Sequence, residues 1–366
     1  MKDYLTKLQE NQTFSESELK NIFLGVLEQK YTKEEIAAFL FGLSFRGESS
    51  EEIYSLVSLL KSKANKFASD LNAIDVCGTG GDGHNSLNIS TAVAFTLSSL
   101  GVKVVKHGNK AISSKSGSSD VLAKLGVDIT ATPEIMKTCL KKHNFCFLFA
   151  PYYHQAIKQV AEIRNSLKVR TIFNLIGPLL NPANLNKQLI GVYDLKLMDK
   201  YADILLKLNY EHAFIVSSID GLDEVSISAK TNIIEIISGK KHFYTFDPKT
   251  LLNNNYKLSD LKGGDADYNA LKMLNLFKGE EGAYHDAVCL NAAFGLKLQQ
   301  KDKELKECFH IIKNKLLTGE VYKHFLEFFN KQFIFIRVFQ CYLSVSVLKP
   351  SVYCIISIKT IITSVN

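Results

Sequence analysis

Apolar positions in residues 1–66 follow a helical period throughout. Ile36, Phe39, Leu40 and Leu43 fall on one stripe, and Ile53, Leu56, Leu59 and Leu60 fall on another. Three helix starts are marked by a hydroxyl residue with a glutamate three positions on: Ser15-x-x-Glu18, Thr32-x-x-Glu35 and Ser49-x-x-Glu52. In such a box the hydroxyl accepts from a first-turn N–H and the carboxylate reaches back to the cap's own N–H. The stripes predict short helices that pack on each other but bury little. They need a partner, either the rest of the chain or a second subunit. Residues 61–70 are polar and read as a connection.

From Ala73 the period changes. Short apolar runs at 73–76, 102–105, 145–149, 189–193 and 213–217 read as buried strands. Helical patterns lie between them, from Ser90 through Ala94, Leu97 and Leu100, from Asp120 through Leu122 and Leu125, and up to Leu208. Residues 155–185 are helical and then turn-rich. Further strands and helices fill 241–330, including a small-residue helix at 286–294 and a last helix at 316–330. This alternation predicts an α/β class. A small all-helical domain at 1–66 stands beside a larger α/β domain at 71–330, whose central, mostly parallel sheet is flanked by helices.

Residues 331–366 form an atypical tail rich in aromatic and β-branched side chains. Arg337, Lys349, Pro350 and Lys359 interrupt it too often for a spanning helix, which needs roughly 20 apolar residues in a row. It reads as the product of a shifted reading frame in preference to an added β-hairpin.

Composition refines the picture only slightly. The chain of 366 residues is 46% hydrophobic and 22% charged, with a formal net charge of +7, which is ordinary for a globular protein that handles anions. It shows no basic arm and no long Lys/Arg run, so no nucleic-acid partner is expected, and no membrane partner either. The first residues have no apolar signal core. Seven cysteines are scattered singly, without a Cys-x-x-Cys pair, which argues against zinc and redox motifs and fits a cytoplasmic location. Cys77 reads as a small buried side chain.

The chemistry concentrates at 73–91. A strand runs into Gly78, Gly80, Gly81 and Gly83, and a helix follows. Glycines let backbone N–H groups approach a phosphate, and a helix start adds free donors. The spacing matches a dinucleotide fingerprint, but that reading needs an acid after the next strand, where Lys106 and His107 stand. A Walker loop fails because no Lys-Ser or Lys-Thr follows the glycines. A merely structural turn is the remaining alternative; the four glycines with Asp82, then Asn88 and Ser90, favour phosphate.

A second loop, 106–120, carries Lys106, Lys110 and Lys115 with five serines. A loop this long between regular elements is more often functional than idle. Asp223 and Glu224 follow a strand end, which suits Mg²⁺ shared with substrate phosphates; a solvated acidic turn fits them equally well. By spacing alone, Arg164 reads as a cation at a helix C-terminus.

Together these segments resemble the anthranilate phosphoribosyltransferase family, within the phosphoribosyltransferases of nucleoside-phosphorylase-like fold. The resemblance rests on 75–83, Asn88-Ile-Ser-Thr91, Lys106-His-Gly-Asn109 through Ser119, Arg164, 170–178 and Asp220-Gly-Leu-Asp-Glu224. It implies that helices from about 155–185 complete the helical domain, that a cleft separates the two domains, and that the protein is a homodimer. It implies transfer of phosphoribose from phosphoribosyl pyrophosphate to anthranilate. Gly78, Gly81, Asp82, Ser86, Asn88, Ile89, Ser90, Thr91, Lys106, His107, Gly108, Asn109, Lys110, Ala111, Ile112, Ser113, Ser114 and Ser118 would hold phosphoribosyl pyrophosphate. Gly78, Asn109, Arg164 and His154 would meet anthranilate. Ser90, Asp223 and Glu224 would bind Mg²⁺. Lys106, His107, Asp223 and Glu224 are the candidate catalytic residues, with His107 and His154 read as positioning or packing groups rather than obligatory bases. The resemblance also reverses the Arg164 reading, because a benzoate carboxylate wants a guanidinium. Two other readings stand beside it, a pyrimidine nucleoside phosphorylase of the same fold and a non-catalytic nucleic-acid-binding relative.

Overall fold

All three boxes start helices. Ser15, Thr32 and Ser49 each accept from the N–H three residues on, with the glutamate returning the bond. In the computed structural model, which describes residues 1–68, 72–110 and 115–330, these begin α2 (Glu16–Leu27), α3 (Lys33–Arg46) and α4 (Ser50–Lys63). An additional helix, α1 (Lys2–Gln9), precedes them; it has no side-chain cap and buries no residue. Lys61, read as part of a connection, lies inside α4. The tail at 331–366 and Ala111, Ile112, Ser113 and Ser114 lie outside the described residues.

The central strands β1 (Asp75–Gly78), β4 (Lys187–Gly191), β5 (His212–Ser218), β6 (Thr231–Ile237) and β7 (Lys240–Phe246) form one sheet in that order. The pair β2 (Val104–Gly108) and β3 (Phe145–Phe149) is joined to β1 by a parallel bridge between Ile74 and Val104. Pairing is parallel from β3 across to β5 and antiparallel for β6 and β7. From β1 the chain winds outward through α5 (Ile89–Ser99), β2, α6 (Ser118–Lys124), α7 (Pro133–His143) and β3. It then returns by α8 (Ala150–Tyr153), α9 (Ala161–Leu167) and α10 (Ile172–Leu175) to the other side of β1, and α11 (Leu195–Lys207) links β4 to β5. Strand order therefore reverses at β1, and ligands of open α/β sheets bind beyond the carboxyl ends of strands at such a point.

Side chains alternate across β5. Phe214 and Val216 enter a core with α5, α12 (Ala266–Phe277), α13 (Ala283–Lys297) and α14 (Leu305–Leu317). Ala213 and Ile215 face the opposite core, which α2, α3, α4, α10 and α11 share. Residues 320–330 are helical, and Phe325 and Phe328 pack into the first core. No described helix is long and apolar enough to cross a membrane.

Candidate active site

Beyond the carboxyl ends of β1 and β2 lies a cavity of about 550 Å³. Every described candidate lines it: Gly78, Gly81, Asp82, Ser86, Asn88, Ile89, Ser90, Thr91, Lys106, His107, Gly108, Asn109, Lys110, Ser118, His154, Arg164, Asp223 and Glu224. Thr79, Arg170, Phe173, Ile176, Pro178 and Tyr193 also line it and were not among the candidates.

At one end the glycine loop turns through φ values of +66° at Gly80, +77° at Gly81 and +80° at Gly83, which an L side chain adopts only with strain. The Gly80 N–H donates to Asp223 Oδ2 at 2.6 Å. Gly78 has a different reason to be glycine, since a Cβ there would sit 2.3 Å from that same carboxylate oxygen. Gly191 on β4 has the stricter requirement: a Cβ would lie 1.6 Å from the Asp223 carbonyl oxygen. Two adjacent strands thus make room for the Asp223–Glu224 segment.

That segment is held from behind. The Asn291 amide grips Val225, accepting from its N–H at 2.8 Å and donating to its carbonyl at 2.9 Å. Asp220 accepts from the hydroxyls of Ser218, Ser226 and Ser228. On the α5 side, the Asn88 amide is engaged with Ser116 O and Asn269 and does not cap the helix. The first-turn N–H of Ser90 points instead to Glu224.

Electrostatics show what the cluster lacks. Burial pushes Asp223 well above the usual carboxylate range, and the neighbouring Asp82 adds to the shift. Glu224 is raised by burial and by Asp223, with Lys106 opposing. Asp82 Oδ2 is buried without a hydrogen-bond partner. Lys106 lines the cavity but is only 2% exposed, and its Nζ donates to Val76 O at 2.6 Å and Ser90 Oγ at 3.1 Å, so it counters the acids from a position fixed against β1 and α5. Crowded carboxylates with an unpaired oxygen suit a hard dication. Among the described residues no three His, Cys, Asp or Glu side chains form a metal cage. Mg²⁺ does not need one, since it takes one or two carboxylates and completes its shell with water and phosphate.

The other end is built differently. Arg164 stands in the last turn of α9, as its spacing suggested, but among the described residues its guanidinium meets no acceptor and no carboxylate. It lies 5.4 Å from the Phe173 ring, and burial lowers its pKa, so an incoming anion would relieve it. His154 and His107 stack edge to face 5.3 Å apart. His154 Nε2 donates to Leu180 O at 2.6 Å, leaving Nδ1 unpartnered. A His107 ring N–H meets the Gly177 carbonyl while its Nε2 has no partner. Burial first, and then His154, pull His107 down to about 3. Both rings are therefore neutral near pH 7 and offer lone pairs. Between the two ends, Arg170 donates to the Gly81 carbonyl and lies 4.1 Å from the Tyr193 ring centroid. Burial pushes the Cys77 thiol up, so it is no nucleophile.

Family models described as "Glycosyl transferase family, helical bundle domain" and "Glycosyl transferase family, a/b domain" match residues 2–64 and 70–322. The anthranilate phosphoribosyltransferase of Pelagibacter ubique is 44% identical over 330 residues, covering 90% of this chain and 100% of that protein. The one of Dictyoglomus turgidum is 41% identical, covering 88% and 97%. Among solved structures, that of Thermus thermophilus anthranilate phosphoribosyltransferase superposes with a TM-score of 0.83 at 32% identity, over 90% of this chain and 99% of that one. The Saccharomyces cerevisiae enzyme in complex with phosphoribosyl pyrophosphate and Mg superposes at 0.82 and 27% identity, over 90% and 97%.

Proposed function

The chain belongs to the anthranilate phosphoribosyltransferase family, and from that premise we propose that its cavity divides into a phosphoribosyl pyrophosphate end at the glycine loop and an anthranilate end at Arg164. The enzyme transfers the 5-phosphoribosyl group to the amino nitrogen of anthranilate, giving N-(5-phosphoribosyl)anthranilate and pyrophosphate, a step of tryptophan biosynthesis. Its cofactor is Mg²⁺. The observation that carries the division is that one cavity is lined both by crowded carboxylates and by a guanidinium that meets no acceptor among the described residues.

In this reading the N–H groups of the glycine loop and of the α5 start that are not taken by Asp223 and Glu224 hold phosphate oxygens, with Lys110 and Asn109 at the mouth. Asp223 and Glu224 hold Mg²⁺, with Ser90 beside them. The ion, when bound, offsets negative charge that builds on the leaving pyrophosphate. Arg164 orients the benzoate carboxylate, and the lone pairs of His154 and His107 accept from the amino group. The arylamine is neutral near pH 7, and an imidazole as weakly basic as that of His107 serves to orient rather than to deprotonate. As the C–N bond forms, the C–O bond to pyrophosphate breaks with its electron pair going to the leaving group, and the ammonium proton then passes to solvent water or to the departing pyrophosphate. Holding both reactants in one cavity supplies proximity.

A coupled assay with anthranilate, phosphoribosyl pyrophosphate and Mg²⁺ tests the activity directly. For the division of the cavity, Arg164→Ala is expected to raise the anthranilate KM by roughly one to two decades, the loss of a charge-assisted contact of about 1.5–3 kcal/mol. The phosphoribosyl pyrophosphate KM should move far less. Equal effects on both substrates would return Arg164 to the helix terminus.

The homodimer is proposed to join through the helical bundle. On α3, Phe41 is 50% and Phe45 85% exposed, with their rings stacked 6.2 Å apart, an apolar feature that marks contact surfaces. Phe45→Glu is expected to shift sedimentation to the monomer; an unshifted profile would place the contact elsewhere. A cytoplasmic location is supported by the five described cysteines, all unpaired.

A further inference from the structure

The floor of the acceptor end is the irregular stretch 177–181, of which Gly177, Pro178 and Leu180 line the cavity. Four of its carbonyls are met by four side chains from four separate parts of the chain. His107 of β2 meets Gly177 O. Gln188 Nε2 of β4 donates to Pro178 O at 2.8 Å. His154, just after α8, donates to Leu180 O at 2.6 Å. Lys61 Nζ of α4 donates to Asn181 O at 3.3 Å. Beneath them sits Asp75 of β1. Its Oδ2 accepts from Asn181 Nδ2 at 2.9 Å and lies 3.5 Å from Gln188 Nε2. Asn181 also donates to Val105 O at 2.8 Å and accepts from Ala183 N at 3.0 Å.

We propose that Gln188, Asn181 and Asp75 are positioning residues that set the shape of the acceptor floor, and through it the enzyme's selectivity among aminobenzoate acceptors. The inference rests on the acceptor reading of the Arg164 end. None of the three touches the cavity, and all are at most 1% exposed. The Asp75 carboxyl is fully buried, with Asn181 and the backbone N–H groups of Val76 and His107 against it, and Gln188 Oε1 has no partner among the described residues. An apolar filling would avoid that desolvation, so stability does not account for the network. Its geometric output is the fixed row of carbonyls. Secondary structure holds the row only in part: the short 3-10 turn gives Gly177 O a bond from Leu180 N at 3.3 Å, and the stretch after it is irregular.

The test uses the full-length enzyme with Gln188→Met, which keeps volume and removes the donor, and with Lys61→Met at a half-buried helix position. Each is assayed for both KM values, kcat, thermal midpoint and relative kcat/KM on ring-substituted anthranilates, beside Arg164→Ala. Gln188→Met is expected to raise the anthranilate KM about fivefold and to flatten the ranking of substituted acceptors, leaving the phosphoribosyl pyrophosphate KM unchanged. Lys61→Met should act in the same direction and less strongly, and if Gln188→Met does not fold, Asn181→Leu is assayed in its place and decides. A lowered midpoint with unmoved acceptor KM and ranking would overturn the inference, as would equal shifts in both KM values. If Arg164→Ala moves the acceptor KM and the other two variants do not, only the positioning role fails. If Arg164→Ala does not move it, the acceptor reading fails and takes this inference with it.

Discussion

Asp223→Asn combined with Glu224→Gln is expected to reduce Mg²⁺-dependent turnover by at least about 10³-fold, since a metal ion at a developing charge contributes several kcal/mol. The fold should survive. Both carboxyls are held above their ordinary range by burial. Keeping them ionised in the native state without a cation therefore disfavours folding, and that disadvantage grows as pH rises through the range between the unfolded and folded pKa values. Neutral amides remove it. The thermal midpoint at neutral pH should hold or rise while turnover collapses, and added Mg²⁺ should stabilise the parent but not the variant. Calorimetry with and without Mg²⁺, beside the coupled assay, separates these outcomes. Full activity at limiting Mg²⁺ would remove the pair from the metal site.

Gly191→Ala is expected to harm the same centre by a different route. A Cβ 1.6 Å from the Asp223 carbonyl oxygen leaves no sterically allowed arrangement without moving β4 or the 223–224 segment. Overpacking of this kind costs about 1–3 kcal/mol and sometimes more. A drop of several degrees in thermal midpoint should accompany near-complete loss of turnover. Gly78→Ala makes the contrast, because the atom nearest its Cβ would be a carboxylate oxygen at 2.3 Å, the end of a side chain, with the Asp223 carbonyl oxygen farther off at 3.1 Å. Activity should fall there with a smaller stability loss. A Gly191→Ala enzyme with parental midpoint and rate would show that the segment has slack that this packing denies.

What was legible in the chain follows the range of the forces. The three capping boxes are closed within four residues, and all three are present. Strand limits were less legible. The apolar run at 73–76 predicted a strand two residues too early, because β1 ends where Gly78 pairs with Gly191, a partner invisible from the local run. The run at 102–105 likewise gave way to Val104–Gly108, paired with β3. The residues around the cavity were recognisable as motifs, yet the reasons differ. Gly78 looked like a phosphate glycine, and its tightest constraint is Asp223. Gly191, Asn291 and Gln188 carried no signal, since each acts on residues distant or out of register in sequence, and an isolated amide or glycine says nothing of what folds against it. Arg164 is the mixed case: its spacing located it on α9, and only the fold shows that its guanidinium leaves the helix end for Phe173.

The second core has a mechanical consequence. Phe23, Phe39, Leu56 and Val57 of the N-terminal bundle share it with Tyr201 of α11 and Ile215 and Ile234 of the sheet. The gap at 65–69 between the two family models is a gap in the sequence match, and the shared core spans both parts. Wide hinging of the bundle away from the sheet would expose that core, so small movements of the bundle against the sheet are expected to occur as shear, with packed side chains sliding. Arg170 links the segment after α9 to the glycine loop through Gly81 and to Tyr193 after β4, so sliding there would have to carry or break those contacts.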